Sequence, residues 1–195
     1  EDWRFTPIER LHELHAGAVA HGPGVTVEVD VPDGVRTETV GRGDERLGRA
    51  GVPEDRVAAQ AWTSFERAFV LTLPAGRHFE QPAHVTVTGN GGLEYGHALI
   101  VAEQGSSGVV VLDFRGHATF ADNVEVVVED AARLTVVSIQ DWADDAVHLS
   151  AQRARLGRDA RLKHIVVTLG GDVVRISPTA TFTAPGASVE LLGLY

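Results

Sequence analysis

Cysteine and methionine are both missing from the 195 residues of this chain. Without cysteine there is no disulfide framework and no thiolate metal site in this segment. A reducing, cytoplasmic setting is compatible with that usage. The missing methionine is not expected of a gene product that starts with one, so the chain is expected to be truncated at both ends. Tyr195 fits that expectation, because it follows an apolar strand pattern with no polar capping segment behind it. No apolar run approaches the ~18 residues a membrane-spanning helix needs. The opening Glu1-Asp2-Trp3-Arg4 is no secretory leader. A basic excess is also lacking: the formal net charge is −10 and the pI near 5.3. That excludes a general binder of nucleic acid or anionic membrane, which needs a basic face to displace counterions. Arg153, Arg155, Arg158, Arg161 and Lys163 could form a local basic strip, and the preferred reading is a solvated face.

Catalytic signatures are missing as well. There is no Gly-x-Ser-x-Gly elbow and no His-Glu-x-x-His. The turns Gly41-Arg42-Gly43 and Gly105-Ser106-Ser107-Gly108 lack the Gly-Lys-Ser/Thr ending that cradles phosphates.

What is present is a repeat. Asp130-Ala131-Ala132-Arg133-Leu134-Thr135-Val136-Val137 is followed by Arg158-Asp159-Ala160-Arg161-Leu162-Lys163-His164-Ile165, then by Pro185-Gly186-Ala187-Ser188-Val189-Glu190-Leu191-Leu192. Ala132, Ala160 and Ala187 are spaced by 28 and 27 residues. Each copy is a turn, a small residue and an alternating strand. A fixed period without intervening helix predicts rungs stacked into a β-solenoid. Residues an even number after the alanine then face inward in columns: Leu134, Leu162 and Val189, followed by Val136, His164 and Leu191. Arg133, Arg161 and Ser188 face out, as do Thr135, Lys163 and Glu190. Val137, Ile139, Ile165 and Val167 blur this split and call for either a bulge or a covered outer face.

Upstream, Thr6 to Ala20 predicts a short helix with Thr6 as cap, Pro7 in its first turn, and a stripe of Ile8, Leu11, Leu14 and Val19. Val25 to Val31 alternates as a strand before the Pro32-Asp33-Gly34 turn, and Gly41 to Gly51 reads as a loop. Pro53-Glu54-Asp55 opens a second helix running to about Arg67, with Trp62, Phe65 and Phe69 on an aromatic side. Beyond it come short strands: Val70–Leu73, His84–Thr88, His97–Ala102, Gly108–Phe114, Ala118–Phe120 and Val124–Val128. Gly, Ser, Asp and Asn turns split them. The expected division is an N-terminal region over 1–68 and a β-solenoid core over 69–195.

Several residues were weighed as sites. His12 and His15, three apart, have metal-ligand spacing but lack a third ligand. Glu94, His97 and Glu103 lie close in sequence. Asp141, Asp144, Asp145 and His148 could hold a hard cation, yet they lack the spacing of a calcium loop and read better as a polar turn. His164 falls in an inward column. It is expected to be a core histidine satisfied by a carbonyl or water, with a polar site inside the solenoid as the other reading. No catalytic or cofactor-binding residue is assigned on this basis.

Trp3-Arg4-Phe5-Thr6-Pro7, Leu71-Thr72-Leu73-Pro74-Ala75-Gly76 with Gln81-Pro82, and Ile139-Gln140-Asp141-Trp142 occur in order along the chain. With Gly170-Gly171-Asp172-Val173-Val174-Arg175 and Pro185-Gly186-Ala187, they resemble motifs of the SufB/SufD family, most closely its SufD branch. That family belongs to the SUF iron–sulfur cluster assembly machinery. The resemblance implies a mainly β protein, a right-handed parallel β-helix preceded by a small helical N-terminal region. It implies a non-catalytic scaffold acting with a SufB-like subunit and the SufC-like ATPase. It also implies a transient iron–sulfur cluster at the level of the complex and none bound directly by this segment. The lack of cysteine favours the SufD branch. The SufC-docking helices and final rungs are expected beyond Tyr195, so no functional residue is carried over. A polysaccharide-active β-helix is the main alternative, and its acids would align on one outer face; a plain structural or adhesive solenoid is a third reading. A solenoid stopped at Tyr195 exposes a strand edge through which the chain is expected to self-associate.

Overall fold

The computed structural model describes residues 3, 6–11 and 13–195. Nearly all of the regular structure is strand. The elements are β1 (Val25–Asp30), β2 (Arg36–Gly41), α1 (Arg56–Ser64), β3 (Arg67–Leu73), β4 (Ala83–Ala102) and β5 (Ser107–Val128). They continue with β6 (Arg133–Trp142), β7 (Val147–Leu156), β8 (Arg161–Thr168), β9 (Val173–Phe182) and β10 (Ser188–Leu194).

Strands β3 to β10 pair with one another in parallel, and the chain coils between two walls. The first wall stacks the early half of β4, the early half of β5, then β6, β8 and β10. The second stacks β3, the late halves of β4 and β5, then β7 and β9. β4 and β5 thus each serve both walls, bending where glycine permits. Gly116 marks the bend in β5, with φ +85°. A Cβ there would lie 2.4 Å from the carbonyl oxygen of Gly89 on the preceding rung, so backbone angle and close approach both require glycine. The β-solenoid expected from the 28- and 27-residue spacing is the observed architecture. Leu134 pairs with Leu162 and Leu162 with Val189, and Val136, His164 and Leu191 form the adjoining column.

The repeat has a second signature at its turn. Ala131, Asp159 and Gly186 occupy equivalent positions, and all three have positive φ, at 59°, 54° and 81°. Only the third is a residue that adopts this conformation freely. The turns are bonded rung to rung: Ala131 N–H donates to the Arg158 carbonyl at 2.7 Å, and Asp159 N–H to the Pro185 carbonyl at 3.1 Å.

The two ends of the coil differ. At the N-terminal end β1 pairs antiparallel with β4 and β2 antiparallel with β3, so both walls are capped. β2 escaped the sequence reading because Arg-Thr-Glu-Thr-Val-Gly is mostly polar, as suits a strand at an edge. At the other end β9 pairs only with β7, and β10 only with β8, among the described residues.

The helical N-terminal region is corrected. The expected helix over Thr6 to Ala20 is only a 3₁₀ turn, Ile8–Arg10, followed by further turns. No side chain caps it, and Gly17 has φ +76°. Leu11 and Leu14 are fully buried all the same, because this run of hydrogen-bonded turns packs on the second wall. The second helix is shorter than expected, at nine residues. Pro53 and Glu54 lie before it, and Asp55 caps it by accepting from Ala58 N–H at 2.9 Å. Val57 and Ala61 of this helix join Leu11 and Leu14 against Leu93, Tyr95, Ala121, Val147, Leu149 and Val173 on the outside of the second wall. This cover buries both faces of β7, which hid its alternation from the sequence reading. The first wall has no such cover among the described residues. Val137, Ile139, Ile165 and Val167 run in unbroken register on its outer face and are half-buried, with neither a bulge nor an overlying element.

The in/out assignment has a direct test. Leu162→Ala, in the central inward column, is expected to cost about 2–5 kcal/mol in urea unfolding. Lys163→Ala, one residue on and exposed beside Glu190, should stay within about 1 kcal/mol of the parent. Equal losses would contradict the register.

Candidate functional site

Polar groups are buried at two levels. On the outside of the second wall, Glu125 is fully buried. Its carboxylate accepts from Gly48 N–H at 2.7 Å, Ala50 N–H at 2.9 Å and His97 Nε2 at 2.9 Å. Burial alone pushes this carboxyl up. The His97 bond and the two backbone N–H groups together outweigh burial and hold it below the ordinary glutamate range. Beside it, Arg153 donates to Asn123 Oδ1 at 2.7 Å and lies over the Trp62 ring at 5.9 Å. Asn123 Nδ2 donates to the Ala58 carbonyl at 2.9 Å. The bonds from Gly48 and Ala50, the bond to Ala58 and the Trp62 contact join the wall to the 48–50 loop and α1, while Glu125–His97 and Arg153–Asn123 tie neighbouring rungs, so the cluster fastens the N-terminal cover to the wall.

The sequence grouping of Glu94, His97 and Glu103 is therefore divided. His97 turns outward to Glu125, and Glu103 pairs with Arg36 and accepts from Ala75 N–H. Glu94 lines a cavity that His97 also borders, and no hydrogen bond joins the two among the described residues. The basic strip is divided too. Arg153 is buried, not solvated, and Arg155 shares its wall; Arg161 and Lys163 stand on the other wall, and Arg158 sits at a corner.

The second level lies inside the coil. His148 is fully buried between aromatic rings, with centroids 4.8 Å from Phe114 and 5.2 Å from Phe120. Its Nδ1 lies 2.6 Å from Gln140 Oε1. Trp142 Nε1 donates to the same oxygen at 2.9 Å, and Gln140 Nε2 donates to Ser138 Oγ at 2.9 Å. With the Gln140 amide so oriented, its oxygen is an acceptor, and Trp142 Nε1 also donates to His148 Nδ1 at 3.2 Å, so Trp142, Gln140 and His148 form one closed set of polar contacts. Nε2 then faces Asp122 Oδ1 at 3.4 Å, and neither atom has a hydrogen-bond partner. The expected cluster of Asp141, Asp144, Asp145 and His148 does not converge. Asp145 accepts from or pairs with His117 Nδ1 at 2.7 Å on an exposed corner, while Asp141 and Asp144 are exposed.

His164 occupies the inward column, as its position in the repeat predicts. It keeps 4% of its surface, and its Nε2 has no protein partner. Burial lowers its pKa to about 4, so the ring is neutral near pH 7. His12 lies outside the described residues. His15 packs edge-on against Trp3 at 5.7 Å. Among the described residues no group of three His, Asp or Glu side chains converges as a metal site. No helix is long and apolar enough to cross a membrane. Sequence reasoning found His164 because it interrupts a Val/Leu column. It missed Asp122, Gln140 and Glu125, whose types carry no signal without the fold.

The remaining feature is the open end. Phe182 of β9 and Leu192 and Leu194 of β10 are 50%, 50% and 63% exposed beside strand edges paired on one side only.

Comparison with known proteins gives a consistent answer. Residues 85–195 match the family described as SUF system FeS cluster assembly, SufBD core domain. An iron–sulfur cluster assembly SufBD family protein of Mycobacterium leprae is 54% identical over all of this chain. One from Mycobacterium tuberculosis is 52% identical over the same extent. A second M. leprae protein of that description is 25% identical over 64% of the chain and 15% of its own length. This chain spans half the length of the first two relatives.

The burial of His164 fixes a pH dependence. Its folded pKa lies below its unfolded value, so the unfolded chain binds the extra proton first as pH falls. Its contribution to stability is complete above about pH 6.5 and is lost as pH falls towards about 4. The size is on the order of 3 kcal/mol. His164→Leu should flatten the urea stability profile across that window. An unchanged slope would show that the ring is not held neutral by burial.

Proposed function

The chain belongs to the SufBD family of iron–sulfur cluster assembly proteins, and from that premise we propose that its parent is a SufD-type, non-catalytic scaffold subunit of the SUF complex. It acts in the cytoplasm with a SufB-like subunit and a SufC-like ATPase, which supplies the ATP hydrolysis. The cluster forms transiently at the level of the complex, and this segment binds none itself. Its coil is right-handed, the hand that parallel crossover connections adopt almost without exception.

One observation carries the reading. The parallel rung ladder runs through the residues that match the family core, with a register shift between Asn90 and Leu93. Inward columns are mostly apolar, with Gln140, His148 and Asp122 among the polar residues they carry. Outward columns of the first wall carry Arg133 with Arg161, then Val137 with Ile165. No stacked row of acids appears there, which is what a polysaccharide-active β-helix would need. The lack of cysteine supports the SufD branch over a cluster-building role.

The open end supports a further part of the proposal. Unpaired N–H and C=O groups on β9 and β10, flanked by exposed Phe182, Leu192 and Leu194, template the addition of another strand. The 195-residue chain therefore self-associates through this rung.

The test is co-expression of the parent protein with the SufB-like and SufC-like proteins of the same organism, followed by capture on this subunit. A stable three-protein complex is expected, and recovery of the subunit alone would overturn the scaffold reading. For the 195-residue chain, light scattering should show a mass that falls to the monomer on dilution. A strict monomer at every concentration would remove the edge-pairing part.

A further inference from the structure

A cavity of about 980 Å³ enters the solenoid near its N-terminal end. Its origin is in the pairing. β3 pairs only with Ala98–Ala102, so the preceding stretch of β4, residues 93–97, has no parallel strand on that side. The bridge from His21 to Leu93 and the bond from the Tyr95 hydroxyl to the Ala18 carbonyl at 2.7 Å cross the gap. The cavity opens there, between the 19–22 segment and the end of α1. Its mouth is mixed in polarity, and its interior side is apolar, with Val85, Val87, Leu112 and Phe114 there and Phe120 beside Asp122.

Asp122 is the feature that needs explaining. It is 4% exposed and lines the cavity, and its Oδ1 has no hydrogen-bond partner. A buried carboxylate without a partner is costly and is rarely left so. Its neighbour on the interior side, His148 Nε2, is 3.4 Å away and also unpartnered. The two atoms approach without hydrogen-bond geometry, so His148 leaves Asp122 Oδ1 without a hydrogen bond. The residue paired with Asp122 on the preceding rung is Gly96. A Cβ at Gly96 would stand 2.5 Å from the Phe120 ring and 3.3 Å from the Asp122 Cβ, so the missing side chain makes room for that ring beside Asp122.

The lining also carries the sign of charge. Glu94 lines the same cavity as Asp122. The two arginines at the mouth are turned to backbone carbonyls, Arg42 to that of Thr63 and Arg67 to that of Thr39. Aromatic faces near Asp122 suit a cation as well. The carboxylates on the lining, Glu66, Glu94 and Asp122, do not gather into a group that could hold a bare metal ion, which needs several oxygen ligands.

We propose that this cavity binds an organic cation, an ammonium or guanidinium group on an elongated apolar body. The cationic group donates to Asp122, and the body lies along Val85, Val87, Leu112 and Phe114. A cavity of this size and lining is in the range that holds a small ligand. The inference does not rest on the scaffold reading.

The test uses the full 195-residue chain and three matched probes: 4-phenylbutylammonium, 4-phenylbutan-1-ol and 4-phenylbutyrate. Isothermal titration calorimetry should rank the ammonium about tenfold or more above the alcohol, with no binding of the carboxylate. Asp122→Asn, checked for native far-UV circular dichroism, should bring the ammonium down to the level of the alcohol. The ranking in the parent chain tests the proposal even where the variant does not fold. Equal binding of the three probes, no binding of the ammonium at millimolar concentration, or an unchanged preference in a folded Asp122→Asn protein would each overturn it.

Discussion

The structure depends on one constraint: each strand of a rung satisfies its backbone groups only through the rungs above and below it. In a parallel ladder this forces neighbouring strands into register at a spacing of about 4.8 Å. Side chains at equivalent positions then stack in columns, as Leu134, Leu162 and Val189 do. The period of the sequence is thus the contour length of one rung. The ladder continues around the corners, where Arg158 N–H also donates to Asp130 Oδ1 at 2.7 Å. It is strong enough as a constraint to hold Ala131 and Asp159 at positive φ, each at a cost of about 1–2 kcal/mol.

The same constraint creates the surfaces that matter. A coil closes its edges only at its ends. Here β1 and β2 close one end by reversing direction, and the other end stays open. Each wall has an inner and an outer face, and the second wall buries both. Its outer face receives Leu11, Leu14 and α1, and Glu125 fixes the intervening loop through two backbone N–H groups and His97. A buried carboxylate with three donors is tolerable, and removing the donors would leave a charge without compensation. The interior has a different economy. Apolar columns fill most of it, while Gln140, His148 and Asp122 form a polar line among aromatic rings.

Much of this was legible in the chain because a solenoid writes its period into the sequence. The Ala132, Ala160 and Ala187 spacing located the rungs, and the inward placement of His164 followed from it. The family resemblance agreed with the match over residues 85–195. Legibility failed where burial was set by other parts of the chain. β7 is covered on both faces and carries His148, Ser150 and Gln152 inward, so its pattern is not that of an ordinary half-buried strand. The N-terminal stripe of Leu11 and Leu14 looked helical because turns packed on a wall can bury residues three apart just as a helix does. The Glu125 cluster joins residues far apart in sequence, and nothing local marks it.

The register of the rungs is the claim on which the columns, the open end and the interior line all rest. The absence of cysteine makes it directly measurable. Val137 and Ile165 are paired neighbours on the outer face of adjacent rungs. Cysteines at these two positions sit at a spacing that a disulfide accepts. The account predicts that Val137→Cys with Ile165→Cys closes an intramolecular disulfide under mild oxidation. Val137→Cys with Val166→Cys, one residue out of register and on opposite faces, should not. Closure of the second pair in preference to the first would contradict the register and the account built on it.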